Sequence, residues 1–178
     1  MEILLDRQDS TKYYDEVLAV VSNYKKLVKN PRKKIRGLTS SAISLTLIAV
    51  VFMIVFTVLY LRDTAYSLYL YIDILFIAAV ILGVIYYALI KRRISKFKEV
   101  DSSKKFVIED DHVEMHIGDE VFPLKFSDMH WIILNRYSIT FLPKTEGARL
   151  IAIDIKYKSQ VISNISEKSL IIDNSDLY

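Results

Sequence analysis

The sequence predicts an α+β membrane protein: a two-helix transmembrane hairpin carrying a cytoplasmic antiparallel-sheet domain closed by a C-terminal helix. Three observations predict it. Two apolar stretches, Leu38–Leu61 and Ser67–Ile90, each exceed the roughly 20 residues needed to cross a hydrocarbon core, and Asp73 is the single charge within them. Basic residues crowd the outer ends of this pair and avoid the short segment between its members. After residue 100 the apolar period changes from three-four to two, the spacing of strands. The 52% hydrophobic content of the 178 residues is therefore concentrated in one block, with flanks that read as water-soluble protein. The expected division is 1–36, 37–91 and 92–178.

In chain order, "MEILLD" is short and apolar enough for a strand. "DSTKYYDEVLAVVSNYKKLVKN" repeats apolar residues at Tyr13, Val17, Val20, Val21, Tyr24, Leu27 and Val28, the stripe of an amphipathic helix, with Asp9 or Ser10 as its cap. Asn30-Pro31 stops it, and the first span is expected to begin as a basic helical extension near Pro31.

Orientation follows from the cations. Lys33, Lys34 and Arg36, with four more basic residues upstream, precede the first span. Lys91, Arg92 and Arg93, then Lys96 and Lys98, follow the second, and the connecting "RDTAY" holds Arg62 alone. The positive-inside rule puts both ends in the cytoplasm and the hairpin tip outside. These clusters are candidate membrane-interface residues that meet anionic headgroups; their place beside spans disfavours a nucleic-acid patch. Tyr60, Tyr66, Tyr69 and Tyr71 gather at the outer interface, Tyr86 and Tyr87 at the inner one. The apolar run begins too deep in the chain for a signal peptide. Asp73 reads either as an anchor at the outer interface or as a functional group, since Ile74–Ile90 alone covers about 25 Å as helix. Ala79-x-x-x-Gly83 permits close helix packing, with Ser40, Ser41 and Ser44 as facing residues, within the hairpin or in a homodimer.

Beyond the spans, "KKFVIED", "HVEMHI", "EVFPLKF", "MHWIILN", "YSITFLP" and "ARLIAID" alternate as strands between turn signals. The Gly118-Asp119 turn pairs Ile117 with Glu120, Met115 with Phe122 and Val113 with Leu124 on one face. Trp131 alternates with Met129 and Ile133 and reads as core. "KYKSQVISNISEKS" then sets Tyr157, Val161, Ile162 and Ile165 on a closing helix.

His112, Glu114 and His116 stand two apart on the other face of the hairpin and form the candidate partner surface. A metal is disfavoured: four residues of strand separate the imidazoles by about 13–14 Å, too far for one ion without full side-chain extension. No metal or other cofactor is expected. No catalytic residue is expected either. The chain has no cysteine, no glycine-rich phosphate loop and no nucleophile elbow, and strand alternation turns Ser127 away from Asp128 and His130.

The segments "MEILLDRQDSTKYYDEVLAVVSNYKKLVKN", the double span and "KKFVIEDDHVEMHIGDEVFPLKFSDMHWIILNRYSITFLP" resemble the YcxB-like family of bacterial membrane proteins over nearly the whole chain. "PLKFSDMHWIILNRYSITFLP" looks most like that family's pattern. The resemblance implies a PH-like (pleckstrin-homology-like) soluble domain and carries no catalytic motif. Phosphoinositide binding at the early strand–strand loops is disfavoured, since "EDDH" and "IGDE" are acidic. The leading expectation is a membrane-anchored, non-catalytic binding or scaffold module with a protein partner and no nucleic acid. The alternatives are a self-immunity protein against a bacteriocin or secreted toxin, recognised at the outer tip or within the spans, and a membrane-bound enzyme.

Overall fold

The computed structural model describes residues 1–5, 10–62, 67–99 and 104–177. The chain divides into two units: residues 1–36 with 96–178, and residues 37–95.

The first unit begins with β1 (Glu2–Leu5), α1 (Thr11–Ser22) and α2 (Tyr24–Lys29). It continues after the second unit with β2 (Lys104–Ile108), β3 (His112–Ile117), β4 (Glu120–Lys125), β5 (Met129–Leu134), β6 (Ser138–Pro143), β7 (Ile151–Asp154), α5 (Lys158–Asn164) and β8 (Ile171–Asp173). Two four-stranded sheets result, ordered β1-β2-β3-β4 and β7-β6-β5-β8. All neighbours are antiparallel except β5 and β8, a parallel pair absent from the expected meander. The amino-terminal strand is therefore an edge of the carboxy-terminal sheet: Ile3 pairs Phe106, and the Met1 amino group donates to the Ile108 carbonyl at 2.5 Å.

The core lies between the sheets. Phe106, Val113 and Met115 of the first meet Ile132, Leu134, Ile139, Phe141 and Ile153 of the second, and the Phe106 and Phe141 rings are 5.2 Å apart. Val161 and Ile165 close the core from α5 and the residue after it, with Tyr157 and Ile162 packed beside them, as the helical stripe predicts. The hairpin register is the expected one at every position from His112–Lys125 to Ile117–Glu120. Gly118 adopts φ 58° at the first turn position, a backbone region that costs glycine little. Pro123 sits on β4, an edge strand, where its missing N–H interrupts the outer rim and discourages strand addition.

The second sheet is covered on both faces, so all six residues of β6 are buried. Its outer face carries Ile133, Ser138, Thr140 and Leu142, and α1 and α2 cover them with Tyr13, Glu16, Ala19, Val20 and Leu27. Ser10 caps α1, its hydroxyl 3.5 Å from the Tyr13 amide; Asp9 lies outside the described residues. The single helix expected here is broken at Asn23, and Val21 is 53% exposed instead of joining the buried stripe. The break rotates the apolar face between Val20 and Leu27. Trp131 also departs from expectation. A register shift between Met129 and Trp131 places Met129 in the inter-sheet core with Ile132 and Leu134. Trp131 is only partly buried, and its indole N–H donates to the Val28 carbonyl of α2 at 3.3 Å. One extra residue in a strand reverses the face of everything before it.

The second unit is a hairpin of α3 (Leu38–Arg62) and α4 (Ser67–Glu99), both long and apolar enough to cross a membrane. Residues 31–37 are not helical, so the expected basic extension does not form. Lys33, Lys34 and Arg36 would otherwise crowd the positive end of the helix dipole, and Gly37 favours the break. On α3 the less exposed positions include Ala42, Thr46, Ala49, Met53, Phe56 and Tyr60; on α4 they include Tyr69, Asp73, Phe76, Val80, Gly83 and Tyr87. Steps of three and four alternate on both helices, the 3.5-residue seam of left-handed coiled-coil packing. Gly83 lies in this seam against the Thr46 side chain, where a Cβ would collide. Ala79, Ser40 and Ser44 are exposed, and Ser41 bonds its own preceding turn at the Gly37 carbonyl. Within the hairpin, therefore, Gly83 makes the close contact and Ala79, Ser40 and Ser44 do not. Phe52, Phe76 and Phe56 stack successively at 5.5 and 5.8 Å.

Candidate functional site

The outer face of the first sheet carries the candidate surface. Strand alternation sends Val113 and Met115 inward and His112, Glu114 and His116 outward, each of the three about one-quarter exposed. The three form one hydrogen-bonded line. Glu114 Oε1 lies 3.1 Å from His112 Nε2, and Glu114 Oε2 lies 2.8 Å from His116 Nε2. Asp111 extends it, with Oδ1 2.6 Å from His112 Nδ1. The sequence pattern missed Asp111 as a member because it belongs to the turn, outside the two-residue period.

Charge sharing perturbs the line. The hydrogen bond that Asp111 accepts from His112, then the one Glu114 accepts, raises the His112 pKa above the ordinary imidazole value. The His116 and His112 bonds lower Glu114, and the His112 bond lowers Asp111. A raised histidine contributes stability below its unfolded value of about 6.5 and loses it as pH rises through the folded value. A lowered carboxylate contributes above its unfolded value, about 4.3 for Glu, and loses it as pH falls through the folded one. The line is therefore most cohesive between about pH 4.3 and 6.5. Replacing Glu114 with Gln is expected to move the His112 titration, followed by proton NMR of the imidazole C–H, down toward the ordinary value.

Lys125 is cross-strand from His112 on β4, and Lys105 is cross-strand from His116 on β2. Lys105 also pairs with Glu2 at 2.7 Å. Val107, Pro123 and the 47%-exposed Val121 share the same face by register. The surface therefore mixes charge-bearing hydrogen bonds with small apolar patches. Among the described residues no group of three or more ligand-type side chains is arranged to hold a metal ion. The Glu114 carboxylate lies between the two imidazoles and bonds one with each oxygen.

Lys33, Lys34 and Arg36 are exposed on the stretch before α3, and Lys91, Arg92 and Arg93 are exposed on α4. Lys91 lies over the Tyr87 ring at 5.2 Å. Asp73 turns into the helix–helix seam, 8% exposed, where Oδ2 accepts from Thr57 Oγ1 at 2.9 Å. Of Ser127, Asp128 and His130, the structure joins only Ser127 to Asp128, at 3.4 Å. One buried carboxylate had no sequence signal: Glu16 of α1 accepts from Ser138 Oγ at 2.7 Å and from the Tyr137 amide at 3.0 Å.

Compared with known proteins, the chain matches no family model, no curated protein and no solved structure.

Proposed function

We propose that this chain is a membrane-anchored binding or scaffold module of the PH-like, YcxB-like type, with a non-catalytic soluble unit on the cytoplasmic side of a bacterial cell membrane. One observation carries the reading. The two long helices pack along one narrow seam, and only 11% and 6% of their most apolar windows is buried, leaving their remaining faces lined with exposed leucine, isoleucine and valine. Such continuous apolar surface is too large for water to tolerate on a soluble monomer, and lipid is the solvent that matches it. The exposed cations at Lys33, Lys34, Arg36, Lys91, Arg92 and Arg93 then meet anionic headgroups. A soluble unit with a separate core, whose candidate surface is a partly exposed, hydrogen-bonded side-chain line on the outer face of the first sheet, supports recognition of a protein partner over catalysis.

Alkaline carbonate extraction and topology reporters test this. The chain is expected to stay with the membrane pellet. Alkaline phosphatase is expected to be active when inserted between residues 63 and 66 and inactive when fused after residue 178. Release by carbonate, or the inverse reporter pattern, overturns the reading.

A further inference from the structure

A cleft of about 630 Å³ lies where the α1–α2 break meets the loop between β6 and β7, a volume typical of small-ligand sites. Its apolar lining includes Val21, Pro143, Ala148 and Leu150, and its charged lining is Lys25, Lys26 and Glu146. Val21, the next-to-last residue of α1, is 53% exposed here. Lys25 Nζ is 3.0 Å from Glu146, with both side chains mostly in solvent. An exposed pair of this kind contributes little and opens readily, so a stronger anion can replace Glu146 on Lys25 with Lys26 beside it. Two cations against one carboxylate leave the lining with one net positive charge, which complements a monoanion. Lys25 and Lys26 also begin the basic run that continues through Lys29, Arg32, Lys33, Lys34 and Arg36 to the start of α3.

We propose that this cleft takes an anionic membrane lipid, its headgroup on Lys25 and Lys26 and its acyl portion over Val21 and Leu150. The proposal rests on reading α3 and α4 as spans, which brings the basic run to the headgroup layer. Apolar burial alone would not distinguish lipids. The lysines supply the choice of headgroup, since hydrogen bonds to ionised groups are the stronger ones.

The test titrates the purified full chain, in neutral detergent, with dioctanoyl phosphatidylglycerol, with dioctanoyl phosphatidylcholine and with octanoate, by calorimetry. Saturable binding of the phosphatidylglycerol, about tenfold tighter than the phosphatidylcholine, is expected. Val21→Glu, at an exposed position, is expected to abolish it. Lys25→Gln with Lys26→Gln is expected to erase the preference while circular dichroism stays unchanged. Equal affinity for the two lipids, or undiminished binding by Val21→Glu, overturns the proposal. Octanoate binding as tightly as the phosphatidylglycerol also overturns it, in favour of a free carboxylate. Carbonate extraction separates the two levels: a chain retained in the pellet that binds no phosphatidylglycerol refutes the cleft and leaves the anchor standing.

Discussion

Joining Arg36 to Lys96 through a flexible linker of about 20 Gly and Ser residues is expected to yield a soluble domain with one cooperative unfolding transition, whereas residues 96–178 alone are expected to aggregate or stay unfolded. The reason is what residues 1–36 cover. Without β1, the core loses Ile3 and β2 becomes a bare edge. Without α1 and α2, the outer face of the second sheet exposes Ile133 and Leu142 to water, along with Ser138 and Thr140. Tyr13 additionally donates from α1 to the Ala152 carbonyl at 2.8 Å, and Tyr24 from α2 to the Pro143 carbonyl at 2.7 Å. The Asn174 side chain donates to the Pro31 carbonyl at 2.7 Å, which ties the residues after α2 to those after β8. Burying one large apolar side chain contributes about 1.5–3 kcal/mol, and total stability is about 5–15 kcal/mol, so losing several such contacts together removes most of it. Size-exclusion chromatography and thermal unfolding of both polypeptides check the outcome. A folded monomer from residues 96–178 alone would show that the amino-terminal segment decorates the domain instead of completing it.

The same segment marks the boundary of what local sequence encodes. The β3–β4 hairpin was readable to the residue because its turn glycine and two-residue alternation lie within fourteen positions of one another. The two long helices were readable from composition. The pairing of β1 with β2 was not, because residues 2–5 and 104–108 find each other through shared burial across about a hundred positions, with no local signal. Nor did the sequence mark the bulge between Met129 and Trp131, which holds no glycine, or the parallel docking of β8 on β5. In the hairpin of long helices, small residues suggested Ala79 as a contact, but the 3.5-residue seam selects Gly83 and Thr46 and turns Ala79 outward. At the candidate surface the positions and the outward face of His112, Glu114 and His116 were legible from strand period. Their joining through a single carboxylate was not, since it depends on side-chain rotamers, and neither was the contribution of Asp111.

Glu16 offers a single-residue test of how the amino-terminal segment is held to the second sheet. The residue is 5% exposed, and burial raises its pKa, opposed by the hydrogen bonds from Ser138 and from the backbone of Tyr137 and its neighbours. An acid whose folded pKa is raised contributes stability fully below its unfolded value and loses it as pH rises through the folded value. At neutral pH the ionised form is therefore a net burden relative to a neutral acceptor of the same shape. Glu16→Gln keeps an amide oxygen for Ser138 or the Tyr137 amide. It is expected to unfold at an equal or higher temperature than the native chain at pH 7.5, with the advantage shrinking toward pH 4.5. Glu16→Ala is expected to cost about 1–3 kcal/mol at pH 7.5, the penalty of a buried donor left without an acceptor. The Tyr137 amide is that donor, because the Ser138 hydroxyl retains Thr140 Oγ1 at 3.4 Å as an alternative. Thermal unfolding of the three proteins at both pH values separates the two effects. If Gln and Ala prove equally destabilising at pH 7.5, the negative charge itself holds α1 to the β5–β6 turn, and burial of that charge is not the burden inferred above.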